Sequence, residues 1–474
     1  MKATKYLVAG ALMLSLAAPT MAQDVKAQID AITKVVIDAN GDAVATKQQI
    51  KEFIKQNKKD AVAIAGLGRA FFTAKNYETA KLYADQAIKV NKNCAAGYIL
   101  HGDIASAEEN GGEAANWYQM STTYDPSNDI AYVKYARVYQ KVDPKGAVEM
   151  LEKLRAVKPD YPVEAAAGYM FSSNNQLKTA MQWYDQVKDV NTLDDYILFD
   201  YASTSYVLEQ YDKALKLTAA GLQKYPKYTS FNRIGLYASD KQKAYADAVT
   251  YGNNLFNTTD TIKYTVNDYI YYGDALENEG RVDDAVAAYK HIAEIDANNH
   301  DGFKYIATAN LKAKRFAEAV DAYRQYIAAV GEQTNYKDLD AIADVYIDEA
   351  TQEGITDEAK VAAFENADKV YGEMAEKFEN TKYYAAWKRA LMNHQINPDV
   401  KVGRALPFYK NYIELVEPKA DKTETEVGRL AISYTYLAVH YIQNDKKAEA
   451  KQWAAKLLEI RPDDPNGKQI MELK

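Results

Sequence analysis

The sequence predicts an all-α solenoid of antiparallel helix pairs, on three observations. Residues 95–128 hold two apolar-periodic segments, a glycine-bearing turn between them and a proline near the end, and this layout recurs along the chain at close to 34 residues. The 39 tyrosines far outnumber 12 Phe and 4 Trp. Tyrosine suits a thin core with much surface, because its ring can be buried while its hydroxyl reaches water or a partner. The 11 prolines in 474 residues fit a chain that confines proline to helix ends and turns.

Bulk composition narrows the function classes. Hydrophobic content of 48% with 26% charged residues is that of a folded protein and argues against long disordered regions. The net charge is −8, and becomes −10 once Lys2 and Lys5 are set aside (−8 − 2). Signs are interspersed, and runs such as Lys55 to Lys59 are short. Nucleic-acid binding is therefore not expected, since phosphate neutralisation needs clustered cations. Cys94 is the one cysteine, which excludes an internal disulfide framework.

Taken in order, residues 1–22 read as a secretory signal peptide. Lys2 and Lys5 make its positive start, Tyr6 to Ala18 its apolar stretch, and Thr20-Met21-Ala22 a small-residue cut site before Gln23. The apolar stretch is shorter than the ~20 residues a membrane-spanning helix needs. An exported mature chain with no transmembrane segment is expected. The periplasm is the expected compartment, with the outer cell envelope or the medium as alternatives. Residues 23–60 read as a degenerate first repeat or cap, with apolar stripes Ile29, Ile32, Val35, Val36 and Ile50, Phe53, Ile54 either side of Asn40-Gly41.

Eight repeats follow over 61–333, nearly in phase. Repeat 61–94 shows Gly68, Phe71, Tyr77, Ala80 and Ala87; repeat 95–128 shows Tyr98, Gly102, Ala114, Tyr118 and Pro126. Repeat 266–299 shows Tyr269, Gly273, Leu276, Ala285 and Tyr289. The register loosens over 334–430, where longer repeats carry extra residues around Glu353-Gly354. Residues 431–474 recover it with Tyr434, Ala438, Tyr441, Ala450 and Leu457 before a short capping helix. Positions 4, 7, 8 and 11 of a repeat fall on one face of a first helix, and 20, 24 and 27 on one face of a second. Small residues at 8 and 20 let the helices approach, and rings at 4, 11 and 24 fill the flanks. One such pair cannot cover both its faces, so neighbours must stack.

This pattern resembles the tetratricopeptide repeat, W-x2-L-G-x2-Y, then A-x3-F, then P. Leu67-Gly68-Arg69-Ala70-Phe71 matches its first half, and Ala285-Val286-Ala287-Ala288-Tyr289 its second with Tyr for Phe. The resemblance implies a right-handed superhelical solenoid whose first helices line a concave groove, with positions 2, 5, 9, 12 and 13 facing into it. Carried over residue by residue, it selects Tyr169, Tyr196, Phe199, Tyr206, Arg233, Tyr237 and Lys241 as the candidate ligand-binding set. Rings with adjacent cations suit an extended peptide or a sugar chain. The Lys and Asn at positions 5 and 9 of chaperone-binding relatives are absent; repeat 129–160 has Val133 and Arg137 there.

No catalytic or metal constellation emerges. Gly66-Leu67-Gly68 lacks a third glycine and sits within a helical pattern. Asp38, Asn40 and Asp42 resemble a calcium loop, but Ala43 replaces its glycine and Gln49 its final acid. The five histidines show no i, i+4 pair. His101 falls at packing position 7. The expectation is a non-enzymatic scaffold without cofactor that binds a protein or peptide segment of unknown identity in the groove. The alternative is a glycan-binding accessory of the cell envelope. Oligomeric state is left open.

Overall fold

The computed structural model describes residues 21–258 and 262–473. Residues 1–20, and with them most of the expected signal peptide, lie outside the described residues. Among those described, the ordered elements are α-helices joined by short turns and single 3-10 turns, with no strand. The chain divides into two compact units, residues 1–231 and 232–474.

The first unit is a stack of antiparallel helix pairs. Met21–Asp38 and Lys47–Asn57 precede the pairs Ala61–Thr73 with Tyr77–Val90, and Ala95–Ala107 with Gly111–Tyr124. Asp129–Tyr139 with Pro144–Val157, Val163–Ser173 with Leu177–Tyr184, and Asp195–Val207 with Tyr211–Lys224 continue it. The second unit repeats the design with Val266–Asn278 and Val282–Lys290, Asp301–Lys312 and Phe316–Val330, and Glu424–Gln443 and Lys447–Ile460. Between the last two come longer elements, Tyr336–Ala350 with Asp357–Lys377 and Lys382–Ile396 with Leu406–Val416.

One turn recurs within the pairs. Position 15 of the repeat takes the left-handed conformation at Lys75, Glu109, Asn175, Glu209, Lys243, Gly280, Lys314 and Asp445. The next residue's amide then reaches back five residues, as in Asn76 N to Phe71 O and Asn110 N to Ala105 O, at 2.9 and 2.8 Å. This 6→1 bond is the Schellman closure of a helix C-terminus. Only Gly280 supplies the residue that adopts the conformation without strain. The following helix opens on a side-chain cap in several pairs: Asn76 accepts from Thr79 N, and Asn110 from Glu113 N. Repeat 129–160 departs from the rule. Asp143-Pro144 replaces the left-handed residue, and Asp143 caps Gly146 N instead.

The small residue at position 8 has a definite counterpart. A Cβ on Gly102 would meet the ring of Tyr118, on Gly168 that of Tyr184, on Gly235 that of Tyr251 and on Gly273 that of Tyr289, all at 2.3 to 2.6 Å. Each pair is sixteen residues apart, at positions 8 and 24 of the repeat for Gly102, Gly168 and Gly273 and at 7 and 23 for Gly235, so the ring fills the space of the missing side chain.

Candidate functional site

The buried tyrosines raise an immediate problem, because a hydroxyl inside a core needs a partner. Carboxylates answer it repeatedly. Tyr118 donates to Asp103 at 2.6 Å, Tyr184 to Asp200 at 2.6 Å, Tyr201 to Asp185 at 2.8 Å and Tyr434 to Glu417 at 2.9 Å. Burial and the facing carboxylate both push these phenols well above their ordinary range. At Asp103 the network spans three consecutive first helices: Arg69 pairs with it at 2.6 Å and Lys134 at 2.9 Å. Burial alone would raise the Asp103 carboxyl, but the two cations and Tyr118 outweigh it and hold it below the usual range. Much of the polar inner surface is thus committed to joining neighbouring repeats.

The candidate residues separate against that background. In the first unit Tyr169 and Tyr196, from consecutive first helices, meet edge to face with centroids 5.3 Å apart. Their rings stay open, at 37% and 47% exposure. Phe199 packs edge-on against Tyr228 and Phe231 at 5.6 and 5.7 Å. Tyr206 leans on Tyr211 at 5.9 Å. In the second unit Arg233 is bonded through Nε and Nη2 to Asp268, at 2.7 and 2.9 Å. Tyr237 donates to the same carboxylate at 2.7 Å and is only 8% exposed. Asp268 also closes a capping box with Thr265 at the start of its helix. Arg233 and Tyr237 are therefore built into a repeat junction, with Tyr237 buried and Arg233 mostly covered. Lys241 lies 5.1 Å above the Tyr271 ring. The structure keeps Tyr169 and Tyr196 together as a surface, and engages Phe199, Arg233 and Tyr237 in packing.

Reading single positions missed two groups. Asp200, at position 6, lies one helical turn from Tyr196 and accepts from Ser172 at 3.0 Å as well as from Tyr184. Burial pushes its carboxyl up, with the two hydroxyls pulling against that. Asp240 is also buried, and burial followed by the charge and hydrogen bond of Asp274 raises it to about 7. Asp240 and Asp274 sit at positions 12 and 9 of adjacent repeats, a coincidence visible in the sequence.

Among the described residues no group of three His, Cys, Asp or Glu could hold a metal, and no helix is long and apolar enough to cross a membrane. His101 is buried, bonds Asp85 through Nε2 at 2.8 Å and stacks on Trp117 at 4.3 Å. Cys94 is buried at a helix start. An open cleft of about 540 Å³ beside Tyr336, Asp340, Asp344 and Tyr384 is a shallow acidic surface.

No family model and no curated protein matches the chain. Solved structures do. The C-terminal part of a TPR repeat-containing protein from Cytophaga hutchinsonii is 20% identical, covering 58% of this chain and 100% of its own, at a TM-score of 0.39. Pseudomonas aeruginosa pilF is 16% identical over 46% of this chain and 96% of its own, at 0.34. A tetratricopeptide repeat protein from Parabacteroides merdae is 14% identical over 52% and 98%, also at 0.34. Superpositions this loose carry no weight beyond naming the neighbours, and the fold assignment rests on the helix pairs, their turns and their glycine–tyrosine contacts. By fold, the chain is an all-α repeat protein of stacked antiparallel helix pairs, an architecture similar to that of tetratricopeptide repeat proteins.

Proposed function

We propose that the chain is a non-catalytic interaction scaffold, which holds an extended segment of a protein partner against the first helices of its first unit. The observation that carries this reading is the Tyr169–Tyr196 pair. Tyr118, Tyr184, Tyr201 and Tyr434 give their rings to packing and their hydroxyls to carboxylates, whereas these two, from adjacent repeats, keep their rings open. Rigid amphipathic rings give contact area at low entropy cost, which suits recognition of an extended chain. The signal-like residues 1–22 support action after export, with the periplasm as the proposed compartment.

The test is capture from an envelope extract with the mature protein and with the Tyr169→Ala/Tyr196→Ala double variant. The expected result is a protein retained by the first and lost from the second, then bound directly once purified. Retention by both baits equally would remove the site from the proposal. Binding of soluble oligosaccharides, abolished by the same double change, would replace the protein partner with a glycan.

A further inference from the structure

Tyr169 and Ser172 lie three residues apart on one helix, and Tyr196 and Asp200 four apart on the next, so each helix presents its two residues on one face. Across the helices these residues make two rungs. The outer rung is the edge-to-face tyrosine contact at 5.3 Å. The second rung is Ser172 Oγ to Asp200 Oδ1 at 3.0 Å, with Thr204 Oγ1 at 3.3 Å from the same serine. Tyr184 closes it from behind, donating to Asp200 Oδ2 at 2.6 Å. An aromatic pair and a carboxylate therefore stand one helical turn apart on one surface.

The carboxylate lacks a counter-ion. Asp103 is answered by Arg69 and Lys134, Asp268 by Arg233, Asp338 by Lys304 and Asp368 by Arg389. Asp200 accepts only from neutral hydroxyls, and no lysine, arginine or histidine among the described residues pairs with it. It remains partly open to solvent. Asp194 and Asp195, at the start of the same helix, add negative charge beside Tyr196. The cation acting on Tyr196 from two repeats earlier, Arg137, is exposed and is not among Asp200's partners. Burial of the Asp200 carboxyl without a cation disfavours its charged form, and an incoming cation would relieve that cost.

Resting on the scaffold reading above, we propose that the bound segment presents a basic side chain, its cation received by Asp200 and its stem lying across Tyr169 and Tyr196. The chemistry combines a charge-assisted hydrogen bond with packing of the aliphatic stem on the tyrosine rings. Lysine and arginine both satisfy it, and an acidic or neutral side chain at that position does not.

A random-peptide display library panned on the mature full-length protein tests this. The expected result is that selected peptides converge on Lys or Arg at one position. Replacing that residue by norleucine weakens binding on the order of tenfold. Asp200→Asn gives the same loss with the basic peptide and little further loss with the norleucine peptide, as expected of two groups that act as one pair. The norleucine comparison uses the unaltered protein, so it stands even if Asp200→Asn folds poorly. Selected peptides without a basic residue, or unchanged binding of the norleucine form, overturn the inference and leave the scaffold reading intact. A selection that enriches no peptide overturns both.

Discussion

The ring of Tyr118 lies across Gly102 so closely that a Cβ on the glycine would stand 2.4 Å from Cε1. Neither side can give way freely, because Tyr118 is fully packed and its hydroxyl is fixed on Asp103. Gly102→Ala should therefore cost about 1–3 kcal/mol by overpacking. Gly168→Ala and Gly273→Ala should behave alike, since Tyr184 and Tyr289 lie over them at 2.5 and 2.3 Å. Gly112, with open space around its missing Cβ, is the control and should tolerate alanine. Urea midpoints of the four variants measure the difference.

The recurring turn invites the opposite change. Glu209 has φ 59° and Lys314 φ 58° on exposed turns, a conformation that costs an L residue with a side chain of ordinary size. Glu209→Gly and Lys314→Gly should each stabilise by roughly 0.5–1 kcal/mol, the relief of strain exceeding the lost chain entropy. Thermal melts of the single and double variants check sign and additivity.

Asp103 is a junction among three repeats, so its removal strands more than one group. Asp103→Ala leaves Arg69, Lys134 and Tyr118 without their shared acceptor. The expected loss is about 3 kcal/mol, near the low end for a broken buried pair because both cations retain some solvent. The carboxyl lies below its ordinary range in the fold, so its contribution is present above the unfolded value and lost as pH falls through the folded one. The gap in stability between wild type and variant should accordingly shrink in acid.

Asp240 predicts the reverse sign. Its carboxyl is raised from 3.8 to about 7 by burial and by Asp274, with Lys241 opposing. Glu277, Tyr289, Tyr245 and Lys312 complete the ionisable surroundings. The folded state holds the proton more tightly, so stability is full below the unfolded value and declines as pH rises through about 7. Asp240→Asn keeps a donor toward Asp274 and removes the titration. The urea midpoint should fall from pH 5 to pH 8 in the wild type and fall less in the variant.

The periodic spacing made the helix pairs legible because a small residue at 8 and a ring at 24 leave one way to pack. The rule for inner positions carries no information on coverage. Whether a ring at such a position stays open depends on the following repeat: Asp268 takes up Arg233 and Tyr237, whereas among the described residues no acid is bonded to Tyr169. Asp200 escaped notice because position 6 is not among the groove positions the resemblance supplies, although it lies one turn from Tyr196 on the same helix face, and its bond with Ser172 ties it to the neighbouring repeat. Contacts of this kind join residues 28 to 35 apart, a range no local pattern encodes.

The central claim is that the Tyr169–Tyr196 surface receives a partner, and site-specific photocrosslinking reads it most directly. p-Benzoylphenylalanine would be placed singly at Tyr169, at Tyr196 and at Leu82, an exposed residue of a second helix, in the full-length protein expressed in its native cell. The account predicts a discrete higher-mass adduct from positions 169 and 196 and none from 82. Equal adducts from all three positions, or adducts from 82 alone, would contradict it.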